Sequence, residues 1–239
     1  MLHLLRKQII IGLTCCISTG TVLAQREQNR PDHDDWPYYF GMTLGYNSSY
    51  LHASKHPSFM ASDSVSRVEP GASGGIALGL LATLRMNHRF ELRANPQLIL
   101  GGSRSFTYTL PKPALGEQPV VTKVLPSTIV SFPVHFKFNS DRIDNFRFYV
   151  LGGLRYDIDL ASNSAARNAE DLIKLKKNDY GVEVGIGFNF YLPFVTVSPE
   201  IKFYNGMSNI HSRDAALKYS SVLDQLNSRM IMFSLHLED

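Results

Sequence analysis

Beyond residue 37 the chain alternates apolar and polar residues with period two, in eight separate stretches. A period of two sends successive side chains to opposite faces, so each stretch reads as a strand with one apolar face. The third is the cleanest. Phe90, Leu92, Ala94, Leu98 and Leu100 alternate with Glu91, Arg93, Asn95 and Gln97, and the pattern can extend through Phe106 and Tyr108. The other stretches cover 38–49, 73–85, 124–139, 146–159, 179–190, 195–204 and 229–237.

The connections sort by length. Short turns at 86–88, 140–145 and 192–193 follow even-numbered strands, and long connections at 50–72, 111–123, 161–178 and 208–228 follow odd-numbered ones. Short turns on one side and long loops on the other are the layout of an outer-membrane barrel. An even strand count closes the sheet and removes the unpaired edges that lipid does not tolerate. The expectation is an all-β fold, an eight-stranded antiparallel up-and-down transmembrane β-barrel over 38–239. Its termini and short turns would lie in the periplasm and its long loops outside the cell.

The N-terminus agrees with export. Arg6 and Lys7 precede an apolar run at 9–17, and Val22-Leu23-Ala24 places a small residue before a cleavage point. That run is well short of the ~20 residues a membrane helix needs. Residues 1–24 therefore read as a signal peptide and 25–37 as a polar periplasmic tail. Both cysteines, Cys15 and Cys16, fall within the signal, so a mature chain has no disulfide, thiol nucleophile or cysteine-ligated metal. Losing Arg6 and Lys7 lowers the formal charge from +3 to +1, which gives no footing for nucleic-acid binding.

Period two does not say whether the apolar face meets lipid or a soluble core, and a mean hydropathy of -0.10 suits both. Two features favour lipid. The polar face is rich in Gly, Ser, Thr and Asn, which suits a crowded lumen. Aromatics gather toward the turns (Phe40, Phe90, Phe136, Phe138, Phe146, Phe148, Phe188, Phe190, Phe194) and toward the loops (Tyr46, Phe106, Tyr108, Tyr156, Tyr180, Phe203), as membrane-interface girdles do. The inward phase then carries Arg85, Arg93, Lys137, Arg147, Arg155 and Lys202 against Glu91, Asp157, Asp159, Asp179, Glu183 and Glu200. An eight-stranded interior is just wide enough for side chains, and buried charges must be paired. These residues, with His135, read as a structural charge network that plugs the lumen.

Little else carries chemistry. His135 is the one histidine in a clear mid-strand inward position, and Ser131 lies about 13 Å away along an extended chain, too far for a Ser–His couple. The run Asp32-His33-Asp34-Asp35 reads as solvated tail rather than a metal site. Gly185-Ile186-Gly187 lies mid-strand, so it relieves crowding rather than cradling phosphate. No catalytic residue, cofactor, metal or small-molecule substrate is expected. In the last loop, Ala215, Ala216, Tyr219, Val222, Leu223 and Leu226 fall at helical spacing, with Ser212 as an N-cap. That helix would either dock on a partner or cover the barrel mouth.

The stretch GVEVGIGFNFYLPFVTVSPEIKFYNGMSNI, from Gly181 to Ile210, resembles the PorT family of Bacteroidetes. Its Glu-x-Gly-x-Gly-Phe strand, aromatic turn and Ser198-Pro199-Glu200-Ile201-Lys202-Phe203 run carry the likeness. The resemblance implies a non-enzymatic outer-membrane component of the type IX secretion system. Such a component is needed for cargo export, and in some species for gliding, and acts through other components of that system. A stand-alone surface barrel for adhesion or envelope integrity is the alternative, with an outer-membrane lipid hydrolase behind it.

Overall fold

The computed structural model describes residues 28–56, 66–111, 118–162, 174–212, 220 and 222–239. The signal peptide expected at 1–24 lies outside them. Among the described residues twelve strands form: β1 (Tyr38–Lys55), β2 (Arg67–Gly71), β3 (Ser73–Arg85), β4 (Phe90–Ala94), β5 (Gln97–Leu100) and β6 (Arg104–Thr109), then β7 (Val120–Leu125), β8 (Thr128–Asn139), β9 (Phe146–Asp159), β10 (Asn178–Tyr191), β11 (Thr196–Gly206) and β12 (Leu223–Glu238).

Nine of these make one antiparallel sheet, which closes where β1 pairs with both β3 and β12. β4 and β5 are two halves of a single stave, interrupted at Asn95-Pro96, because each pairs with β3 on one side and β8 on the other. Proline has no N–H to give a ladder, so the stave breaks there. Eight staves in a closed ring result. Every wall stave keeps the alternation of its sequence, with β10 running exposed and buried residue by residue from Asn178 to Tyr191.

The outward phase is apolar and bare. Leu80, Leu154, Tyr180, Phe136 and Phe233 are each more than half exposed, a continuous greasy band that only lipid can cover. Aromatics ring its turn end, where Phe90 meets Phe138 at 5.2 Å and Phe146 stacks on Phe188 at 5.4 Å. Tyr46, Tyr156, Tyr180 and Phe203 ring the loop end.

The loop end differs from the sequence reading. Phe106 and Tyr108 are fully buried, not lipid-facing. After β5 the chain turns off the wall at Gly101, whose φ of +82° is left-handed backbone that glycine adopts without steric cost. β6 then pairs with β2 and β7 in a separate three-stranded sheet. The fourth expected strand likewise divides at Pro126-Ser127 into β7 and the wall stave β8. Phe106, Tyr108 and Leu110 pack with Leu51, Leu125, Leu175, Ile210, Val222, Leu223 and Leu226 into an apolar cluster over the barrel mouth.

The expected loop helix is also corrected in its C-terminal part. Leu223 and Leu226 belong to β12, where the register skips Asp224 (Ser54 faces Gln225 and Lys55 faces Leu223). That bulge turns two residues three apart to the same side, which mimics helical spacing in the sequence. Val222, Leu223 and Leu226 point into the cluster and are not free for a partner. Ala215, Ala216 and Tyr219 lie outside the described residues.

Candidate functional site: the charged lumen and its two ends

Each wall strand alternates, so every second residue enters an interior only wide enough for side chains. At its centre is Glu200 of β11. Its Oε2 accepts from Arg93 Nη1 at 3.0 Å and from the Tyr149 hydroxyl at 2.8 Å. Its Oε1 lies 3.1 Å from His236 Nε2 and 3.3 Å from Lys202 Nζ. Lys202 also approaches Glu183 at 3.6 Å, and Glu183 accepts from Arg155 Nη1 at 2.9 Å and contacts His135 Nε2 at 3.0 Å. Arg155 continues to Asp157 at 2.8 Å. Toward the turns, Arg93 Nη2 donates to Glu238 at 2.9 Å. Glu91 there gathers Lys137 at 3.2 Å, Arg85 at 3.3 Å and the Tyr39 hydroxyl at 2.9 Å.

Two glycines make room for this. Gly153 faces His135 on one neighbouring strand and Glu183 on the other. With no side chain between them, His135 reaches Glu183 directly. A Cβ at Gly153 would come within 2.0 Å of the Val134 carbonyl oxygen. Gly187 stands between Tyr149 and Glu200 in the same way, and a Cβ there would meet the tyrosine ring at 2.4 Å. The crowding inferred at Gly185-Ile186-Gly187 has a definite object: these positions let side chains bridge over an empty one.

Arg93, Lys137, Arg155, Glu183 and Lys202 are at most 1% exposed. Ions this far from water are tolerated only when their partners are close, and here the ion pairs carry them, since Arg93 Nε and Arg155 Nη2 have no hydrogen-bond partner among the described residues. Tyr149 assists, its ring facing Lys137 Nζ at 4.1 Å. Toward the loops the filling turns apolar, with Ala77, Ile99, Ile129, Tyr204, Met230 and Met232 packed together.

Not all residues named from sequence join this chain. Asp159 is held locally by Ser127 and the Ala161 N–H, and Asp179 by Ser208. Arg147 pairs at 3.0 Å with Asp34 beyond the barrel's turn end. Sequence reasoning missed Glu238, His236 and Arg104. Glu238 continues the inward phase of Ser234 on β12 one residue past the expected strand end at Leu237, whereas His236 fell on the expected inward face but was not counted in the charge network. Arg104 is buried from β6, beside Asp159 and Asp179. Ser131 Oγ has no hydrogen-bond partner among the described residues and His135 is taken by Glu183, so the pair forms no nucleophile–base couple.

The stretch before β1 is folded, not a solvated tail. Pro31–Asp35 forms a 3-10 helix under the turn end. Asn29 donates to the Tyr191 carbonyl, and Arg30 donates to Thr196 and the Glu238 carbonyl. Asp34 is clamped by Arg142 at 3.1 Å as well as by Arg147. His33 is buried between Tyr39, Trp36 and Tyr191, with Nε2 3.0 Å from the Asp239 carbonyl. Burial first, then the nearby Arg30 and Arg85 charges, hold the His33 pKa below its ordinary value. The clasp therefore carries a neutral imidazole.

The family model described as "Outer membrane protein beta-barrel domain" matches residues 24–212, in keeping with the closed ring of strands and its apolar outer face. The chain belongs to this family. Its place is the outer membrane. Several solved barrels are similar in shape. OprG from Pseudomonas aeruginosa has a TM-score of 0.49 at 11% identity, over 84% of this chain and 93% of that one. Neisserial surface protein A has a TM-score of 0.42 at 12% identity, over 82% and 95%. Ail, the attachment invasion locus protein of Yersinia pestis, has a TM-score of 0.39 at 10% identity, over 85% and 100%. No curated protein sequence matches this chain significantly.

Proposed function

We propose that this barrel is a non-enzymatic outer-membrane accessory of the type IX secretion system that works by contact, with short turns and both termini in the periplasm. The observation that carries a contact role is the filled lumen. Arg93, Tyr149, Lys202, Glu200 and Glu183 occupy its cross-section, the apolar cluster covers one end and the 3-10 clasp covers the other. Among the described residues a lumen so packed leaves neither a diffusion path nor a substrate pocket within it, which directs function to the surfaces. The secretion role is supported by the PorT-like Gly181–Ile210 stretch, which comprises most of β10, all of β11 and the aromatic turn between them. It supplies Glu183, Glu200 and Lys202 to the network. The partners are other secretion components and lipid, with no nucleic acid and no small-molecule substrate.

The test is deletion of the gene followed by comparison of secreted and periplasmic proteomes. Cargo trapped in the periplasm, and released again by the wild-type gene, supports the reading. Normal export with weakened adhesion or a leaky envelope would overturn it in favour of a stand-alone surface barrel.

A further inference from the structure

Below the bulge at Asp224, the outward phase of the eight staves carries apolar residues, glycines and uncharged polar residues, with two ionisable exceptions among the described residues, Arg229 on β12 and, two positions nearer the loops, His52 on β1. The neighbours of Arg229 in register are Tyr50 of β1 and Asn205 of β11, both outward-facing. These three stand over a groove of about 310 Å³ on the outer wall, lined also by Val182, Phe203 and Ile231. The Arg229 Nε is enclosed and has no hydrogen-bond partner among the described residues. The ion pairs of the lumen and of the turn end do not engage it. A strand rise of ~3.4 Å per residue and a tilt of about 40° put Arg229 roughly 20 Å above Leu237 along the barrel axis. That is near the upper edge of the ~25 Å apolar band, where headgroups begin.

We propose that Arg229, with Asn205 and Tyr50, binds the phosphate of a lipid in the leaflet at the loop end, and that the groove below takes the start of its acyl chain. A guanidinium facing lipid lacks a counterion, and a phosphate supplies one through paired charge-assisted hydrogen bonds. The apolar floor fits what lies directly beneath such a phosphate. Tyr50 and Asn205 add neutral donors on either side without competing negative charge.

The experiment uses the full barrel in nanodiscs of digalactosyldiacylglycerol, a bilayer lipid without phosphate, doped with lipid A or with fully dephosphorylated lipid A, with retained lipid read by native mass spectrometry. Wild type should retain lipid A in preference to the dephosphorylated form. Arg229→Gln should weaken that retention roughly tenfold, as loss of a charged hydrogen bond does. Arg229→Lys should keep part of it, since the charge remains without the planar fork. Ile231→Trp, which fills the groove and leaves Arg229 intact, should also lower retention and keeps the test decisive if Arg229→Gln fails to fold. Inorganic phosphate added to the detergent-solubilised barrel should not displace the lipid, because it lacks the acyl contact. Equal retention of the two lipids by wild type, or unchanged retention in Arg229→Gln, would overturn the proposal and leave a side chain that merely reaches toward water.

Discussion

Replacing Glu200 by Gln tests the lumen network at its centre. The carboxylate serves Arg93, Tyr149, His236 and Lys202 and is about 2% exposed. Gln keeps the shape and one acceptor but removes the charge, leaving two buried cations short of a partner. Removing one member of a buried pair costs about 3–5 kcal/mol. Here Arg93 retains Glu238 at 2.9 Å and Lys202 retains Glu183 at 3.6 Å, so the lower end, about 3 kcal/mol, is expected. Reversible urea unfolding of the barrel in lipid vesicles measures it. Adding Lys202→Met removes one of the stranded charges and should recover about 1–2 kcal/mol, since apolar replacement of a buried pair is often neutral or better. A loss below about 1 kcal/mol for Glu200→Gln, or strict additivity in the double variant, would refute the reasoning.

Other consequences follow from the same geometry. Gly153→Ala drives a Cβ into the Val134 carbonyl and should cost about 1–3 kcal/mol in the same unfolding assay, although it adds only a methyl. Phe106→Ala empties the cluster over the mouth and should cost about 3–5 kcal/mol, read as earlier proteolysis of the loop end than of the wall. The clasp should be pH-sensitive with a defined sign. Because His33 has a lowered pKa when docked, docking is at full strength above the ordinary imidazole value of about 6.5 and weakens as pH falls from there toward the docked value. Trp36, the chain's one tryptophan, sits 5.4 Å from the His33 ring. Its fluorescence should shift to the red below pH ~6.5 in wild type and stay flat over that range in His33→Gln.

The wall was legible because lipid on one side and a crowded lumen on the other force a period of two on every stave. Which residues share a face could therefore be read from residue order alone. What each touches could not. Arg93 finds Glu238, 145 positions away, only because the ring closes between β1 and β12. The loop end misled for two local reasons. Phe106 and Tyr108 keep the phase of β5, and nothing in that phase marks the turn at Gly101 that takes them off the wall. Leu223 and Leu226 look helical because a bulge has the same spacing as a helical turn. The clasp was hidden since Asp34 is an ordinary polar residue until Arg142 and Arg147 are placed beneath the barrel with it.

A lumen closed by its own ion pairs is tested most directly by single-channel recording from the purified, folded barrel in planar bilayers. A barrel filled by Arg93, Tyr149, Glu200, Lys202 and Glu183 should give no stable conductance steps, at neutral pH and across the usual range of applied voltage. Large, uniform and long-lived steps would contradict it and make this protein a pore.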